Sequence, residues 1–270
     1  GWIIKSFGWR WIFYINIPSG LLIIAILQLY GTKDILPKVK QKIDYVSALL
    51  LASGLCIFVY TLNEIEILGI DSFRIWAGLS LGALLIGSCF LRDRTQKIRM
   101  IPPHLLGNKP YMAASVGEFF MAINFSLILV MMGLYLQNTL HYSSYETGLI
   151  FISMTISMGL LSPIGGKMID AFGIKSPMIF GSLLSAIALG LMAFLKVDAS
   201  LYFVLTVLFI AGTGLCLYFT SCNTAMMRAV PEEDLNVASG VYMMLMMIGN
   251  TLSVVLSTSF VVFFGQSHLL

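Results

Sequence analysis

Charge is what this sequence has least of. Of 270 residues, 16 are Lys or Arg and 13 are Asp or Glu, together 11% of the chain. Soluble domains carry about 25%, so these side chains cannot cover a globular surface in water. Histidine is sparser still: His104, His141 and His268 fall in separate connections, and that spacing argues against a metal centre. The four cysteines, Cys56, Cys89, Cys216 and Cys222, all lie in apolar runs. None can form an exterior disulfide, and each reads as a small packing residue. No cofactor motif is present, and the net charge of +3 needs no nucleic-acid partner to explain it.

Apolar residues fill the space that charge leaves. They make up 58% of the chain, and the mean hydropathy is +0.91. Uncharged stretches run at 11–32, 45–63, 75–91, 119–145, 147–166, 176–195, 199–227 and 235–270. About 20 apolar residues at 1.5 Å each cross a hydrocarbon core of about 30 Å. The pattern predicts eight transmembrane helices, at about 12–30, 45–63, 75–91, 111–136, 147–166, 177–195, 201–223 and 237–264. The runs are continuous and do not alternate, which favours helices over a barrel. The expected fold class is therefore all-α and polytopic.

Lys and Arg orient the chain. With the first residues outside, the connections 31–44, 92–110, 167–176 and 224–236 face the cytoplasm and hold 12 of the 16 basic residues. Lys5, Arg10, Arg74 and Lys196 remain outside, a bias that obeys the positive-inside rule. Trp9-Arg10-Trp11 reads as an interfacial anchor and not as part of a cleavable signal. A chain that opens on Gly1 and enters from outside is expected to be a piece of something longer.

Small residues recur every fourth position at Ser182, Ala186 and Gly190, at Gly212, Cys216 and Thr220, and at Ser153 and Ser157. In lipid such stripes let helix backbones approach closely. They predict a compact bundle over the later helices, with or without a transport role.

One charged residue lies well inside a predicted span. Glu118 follows Tyr111 by seven positions, about 10 Å along the helix. An ionised acid at that depth is costly and is a functional candidate by default. Protonation removes the charge, as a proton-coupled carrier requires. Ser115, Ala122, Ser126 and Gly133 fall within about 80° of Glu118 on the helical wheel, a small and partly polar face suited to a water-accessible cavity. Two other readings fit the same residues: a protonated Glu118 bonded to a neighbouring helix, or a shallow one that snorkels.

Three further groups stand out. Gly166, Asp170, Gly173 and Lys175 form a short charged connection on the cytoplasmic side. There Asp170 can face the positive end of the following helix, and Lys175 can meet phospholipid or a carboxylate, so that the connection acts as a latch. The bland reading is an ordinary positive-inside turn. Tyr218, Thr220, Ser221 and Asn223 put polar groups near one end of the seventh span, as pore lining or as interhelical hydrogen bonds. Met243, Met244, Met246 and Met247 offer flexible thioethers, some to a pocket for varied hydrophobic ligands and the rest to lipid or protein.

The segment Gly8-Trp9-Arg10-Trp11-Ile12-Phe13-Tyr14-Ile15-Asn16-Ile17-Pro18-Ser19-Gly20 resembles the start of the sixth helix in the fourteen-helix drug:proton antiporters of the major facilitator superfamily, the EmrB/QacA type. Its signature residues are Trp9, Arg10, Asn16 and Pro18. Ile101-Pro102-Pro103-His104-Leu105-Leu106 through Lys109-Pro110-Tyr111 resembles the approach to that family's ninth helix. Tyr135-Leu136-Gln137, His141-Tyr142-Ser143 and Thr147-Gly148-Leu149 resemble the outer connection to its tenth. Gly166, Asp170, Gly173 and Lys175 match the superfamily's cytoplasmic G-x-x-x-D-R-x-G-R-K motif, which departs here at Ala171 and Ile174.

The resemblance implies a major facilitator-like bundle. Residues 1–31 would end the N-terminal half, 32–110 would hold cytoplasmic linkers and an inserted two-helix hairpin, and 111–270 would be the C-terminal half without its last helix. It implies a multi-pass protein of the plasma membrane, the inner membrane in bacteria, whose partners are protons, membrane lipid and hydrophobic or cationic small molecules. The function it implies is proton-coupled efflux, with Glu118 as the proton or cation site and Ser115, Ala122, Ser126, Tyr218 and Asn223 along the substrate pathway. A dedicated metabolite or siderophore carrier and a non-transporting membrane module are the alternatives. An enzyme is disfavoured, because no span carries paired carboxylates, a His cluster or a nucleophile with its base. No oligomeric state is implied.

Overall fold

A computed structural model describes residues 8, 10–30, 44–69, 72–95, 102–197 and 199–268. The described residues are helical, with short connections between them. In chain order the helices are α1 (Trp11–Tyr14), α2 (Asn16–Tyr30), α3 (Tyr45–Leu68), α4 (Phe73–Thr95), α5 (Pro103–Gly107), α6 (Lys109–Leu134), α7 (Ser144–Phe172), α8 (Lys175–Met192), α9 (Leu201–Ala229) and α10 (Leu235–His268). A π-helical turn at Tyr135–Thr139 extends α6, and a 3-10 turn at Glu232–Asp234 precedes α10.

Seven of these helices are long and apolar enough to span a membrane. The first expected span is assigned as two pieces, α1 and the 15-residue α2, with a break in the hydrogen-bond ladder at Ile15, which itself keeps helical angles (φ −67°, ψ −20°). Pro18 explains the break: it has no N–H to donate to the Tyr14 carbonyl, and its ring crowds that oxygen. None of the side chains of α2 is buried.

Helix starts follow local chemistry. Asp44 caps α3 by accepting from Val46 N at 3.1 Å and Ser47 N at 3.2 Å. Asn108 caps α6 through Tyr111 N at 3.1 Å, with Pro110 in the first turn. Ser143 and Glu146 form a reciprocal capping box on α7. Helix ends overrun the uncharged stretches: α7 runs to Phe172, past the expected limit at 166, and stops where Gly173 adopts φ +76°. Charge gaps mark the hydrocarbon zone, whereas a helix continues until its backbone is turned.

The core lies around α9, which packs on α6, α7 and α8, while α10 packs along α6. A side chain on Gly212 would collide with Ser157 and the Met154 carbonyl of α7. The Gly212 and Cys216 stripe therefore does bring two helices together, and Cys216 Sγ also donates to Met158 O at 3.2 Å. The Ser182, Ala186 and Gly190 stripe does not, because it faces outward. The packed face of α8 is Gly181, Ser185 and Ala188, about one residue round the helix. α3 and α4 pair as a separate hairpin closed by Gly54, Gly78 and Gly82, and α3 leans on α10.

Connections at the basic ends of the helices are tied together. His104 Nε2 meets Asp234 Oδ2 at 2.6 Å, Asn108 Nδ2 donates to Ala229 O at 2.6 Å, and Arg228 lies 4.0 Å from Asp170. At the opposite end the Tyr135 hydroxyl donates to Lys196 O at 2.6 Å.

Candidate functional site

Glu118 sits nine residues into α6, about 13 Å from its start. It is 2% exposed, and among the described residues it is the only charged side chain in the core. Helix α6 is held on either side of it. The Tyr111 hydroxyl donates to Ala238 O of α10 at 3.0 Å, and Ser253 Oγ of α10 donates to Ile123 O at 2.7 Å.

Three side chains from two other helices close on the carboxyl. Tyr242 of α10 and Cys222 of α9 lie beside it, and Tyr218, one turn before Cys222, is close enough to sense its charge. All three are buried. The Cys222 thiol donates to Ala114 O at 3.1 Å, one turn before Glu118. The Tyr218 hydroxyl presses against α6 at Gly117, where any Cβ would collide with it. Glycine is required there for close approach and not for a special φ. Glu118 Oε2 and Ser115 Oγ are buried without a hydrogen bond, so this cluster keeps unspent polar capacity.

The next two turns of this face of α6 are packed. Ser126 Oγ donates to Asn250 Oδ1 at 2.9 Å, and a Cβ on Gly249 would stand 3.2 Å from that of Ala122. Ala122 and Ser126 therefore lie against α10 in a seam of small and polar residues, while Ser115 is buried beside Glu118. Asn124 adds a polar link to α8, donating to Ser185 Oγ at 3.1 Å. Asn223 is exposed and turned away from Cys222, so it does not join Tyr218 at the cluster.

The expected latch is divided. Gly166 and Asp170 lie within α7, Gly173 ends it, and Lys175 opens α8. Asp170, expected to face the start of α8, has Arg228 of α9 as its neighbour. Lys175 and Arg228 line a cleft of about 370 Å³ with Pro110, Ala114 and Met178. Trp9 lies outside the described residues, and Arg10, Asn16 and Pro18 are exposed around α1 and α2. Among the described residues no three His, Cys, Asp or Glu side chains converge on a metal-sized site.

Sequence reading missed Tyr242, Cys222, Asn124 and Asn250 as site members. The i, i+4 spacing of Tyr218 and Cys222 was a usable signal. Nothing local in α10 pointed Tyr242 at Glu118.

A buried acid among hydroxyls and a thiol, inside a bundle of membrane-spanning helices, defines a polytopic integral membrane protein. The Major Facilitator Superfamily family model matches residues 114–268. The chain belongs to that superfamily, whose members are transporters and not enzymes. It is 27% identical over 262 residues to a multidrug transporter protein of Bacillus subtilis, an overlap of 94% of this chain and 47% of that protein. It is 26% identical over 257 residues to the tetracenomycin C resistance and export protein of Streptomyces glaucescens, covering 93% and 47% respectively. The lincomycin resistance protein of Listeria monocytogenes is 25% identical over 239 residues, 86% of this chain and 49% of that protein. The chain spans about half the length of these curated relatives.

Proposed function

We propose that this protein takes part in proton-coupled export of hydrophobic or cationic compounds across the cytoplasmic membrane, as a member of the fourteen-helix drug:proton antiporter family. Glu118 carries the reading. Among the described residues it is the one acid in the core, it has unspent hydrogen-bonding capacity, and it stands where α6, α9 and α10 meet. A carboxyl there can take a proton and lose its charge, or keep the charge and attract a cation. Either change alters the charge that Tyr218, Cys222 and Tyr242 face, and so alters the fit of three helices. The names of the three relatives, a multidrug transporter and two drug-resistance proteins, support the substrate class.

In this reading 111–270 acts as the C-terminal transport half, 32–110 as linkers and inserted hairpin, and 1–31 as the end of the other half. Ser115, Ala122, Ser126 and Tyr218 then shape the seam that opens during transport. Alternating access comes from one repeat rocking against the other. Asp170, Gly173, Lys175 and Arg228 would latch the cytoplasmic side.

The test is gradient-driven uptake into everted vesicles from cells expressing the gene that encodes this chain, with a panel of lipophilic cations and neutral metabolites. Uptake of several unrelated cations, collapsed by a protonophore, is the expected outcome. Uptake of a single metabolite would replace the reading with a dedicated carrier. Ligand binding without flux would replace it with a non-transporting module.

A further inference from the structure

Away from Glu118, α3 of the inserted hairpin and α10 flank an open cleft of about 440 Å³. Leu55 and Cys56 wall it on one side, and Gly240, Met243, Met244 and Met247 on the other. Its size falls in the usual range for small-molecule sites, about 300–1,000 Å³. Tyr242 is buried toward the Glu118 cluster, while its neighbour Met243 and then Met247 are exposed on the opposite side of α10. The cleft and the acid therefore share a helix and not a chamber.

We propose that this cleft is a second ligand site, which takes rigid, uncharged hydrophobic compounds from the lipid phase and holds them against α10. No charged residue lines it, so a cation would be desolvated there without a partner. Its single hydroxyl, on Thr251, is already given to Met247 O at 2.9 Å. Three unbranched thioether side chains can remould around a rigid ring system. A lipid acyl chain is itself flexible and needs no such adaptable wall. The site's part in export rests on the proposed transport function, but its occupancy does not.

Cys56 makes occupancy measurable. It is exposed in the cleft wall, whereas Cys89, Cys216 and Cys222 are buried. Membranes holding the full chain are treated with a hydrophobic maleimide, with and without pyrene as a rigid neutral probe. At about ten times its half-saturating concentration, pyrene should slow Cys56 labelling about tenfold. A Cβ on Gly240 meets nothing within 4 Å, so Gly240→Leu can be built into the cleft from α10, and Leu55→Trp fills it from α3. In either variant labelling should proceed at one rate whether or not pyrene is present. Absence of protection in the parent chain overturns the proposal, as does protection that survives both fillings. Equal protection by hexadecane also overturns it, making the cleft an acyl-chain groove. Labelling needs no pH gradient, so lost efflux with intact protection would sink the transport reading alone, and the converse would sink this site alone.

Discussion

Glu118 was legible as a residue, because an acid seven positions into an otherwise apolar run has no inexpensive place in a membrane. Its company was not. Cys222 reads locally as a packing thiol and Tyr242 as one more aromatic, and only the meeting of α6, α9 and α10 makes them neighbours of the carboxyl. Glu118→Gln keeps the shape and removes the exchangeable proton. Gradient-driven uptake in everted vesicles should fall about tenfold or more, equivalent to about 1.4 kcal/mol, with the protein still inserted and folded. Unchanged uptake would remove Glu118 from the mechanism. Tyr242→Phe deletes one hydroxyl facing the carboxyl and should cost about 1 kcal/mol of thermal stability in detergent. Its pH profile of uptake should shift relative to the parent, which a purely structural role would not produce.

Helices were read correctly in kind and less well at their ends. The charge-free stretch of α7 closes at Gly166, but the helix runs on through Lys167 and Asp170 until Gly173 turns it. Small-residue stripes were a half-reliable guide: Gly212 does meet Ser157, while on α8 the contact falls to Gly181 and not to Ser182. A Cβ at Gly181 would stand 2.7 Å from both Gly214 O and Tyr218 N. Because those atoms are backbone and cannot swing away, Gly181→Ala should destabilise the bundle by about 1–3 kcal/mol, whereas Ser182→Ala should be nearly neutral. Comparing the two by thermal unfolding in one detergent checks the register of α8 on α9.

The hairpin carries its own pH dependence. Ser47, donating from its hydroxyl at 2.7 Å and its backbone N–H, holds the Asp44 carboxyl below the usual carboxylate range, with Arg92 adding to the effect. A lowered folded-state value means that the cap's contribution is present above the unfolded-state pKa and is lost as pH falls through the folded one. Asp44→Ala should therefore melt below the parent at neutral pH and converge with it in acid. A gap that persists in acid would show that the cap does not depend on ionised Asp44.

For the molecule as a whole, the excess of Lys and Arg at one end of the helices predicts that this end faces the cytoplasm. With Cys56 replaced by Ser, a Lys175→Cys variant should react with a membrane-impermeant maleimide only in everted vesicles. A Lys196→Cys variant should react only in right-side-out cells. Reversed labelling would invert the topology.

Composition and charge spacing by themselves determined that this chain is helical, that it crosses the membrane repeatedly and that Glu118 is out of place, because the bilayer's thickness and its intolerance of charge act on every segment separately. Tertiary structure alone decided which helices meet. It placed Tyr242 beside Glu118 and Arg228 near Asp170, seated Ala122 and Ser126 of α6 against α10, and left a methionine-lined cleft against the hairpin. Lipid rewards any apolar helix about equally, so hydrophobicity cannot select a partner. That choice is made by close backbone approach at glycines and by a few hydrogen bonds between residues more than a hundred positions apart.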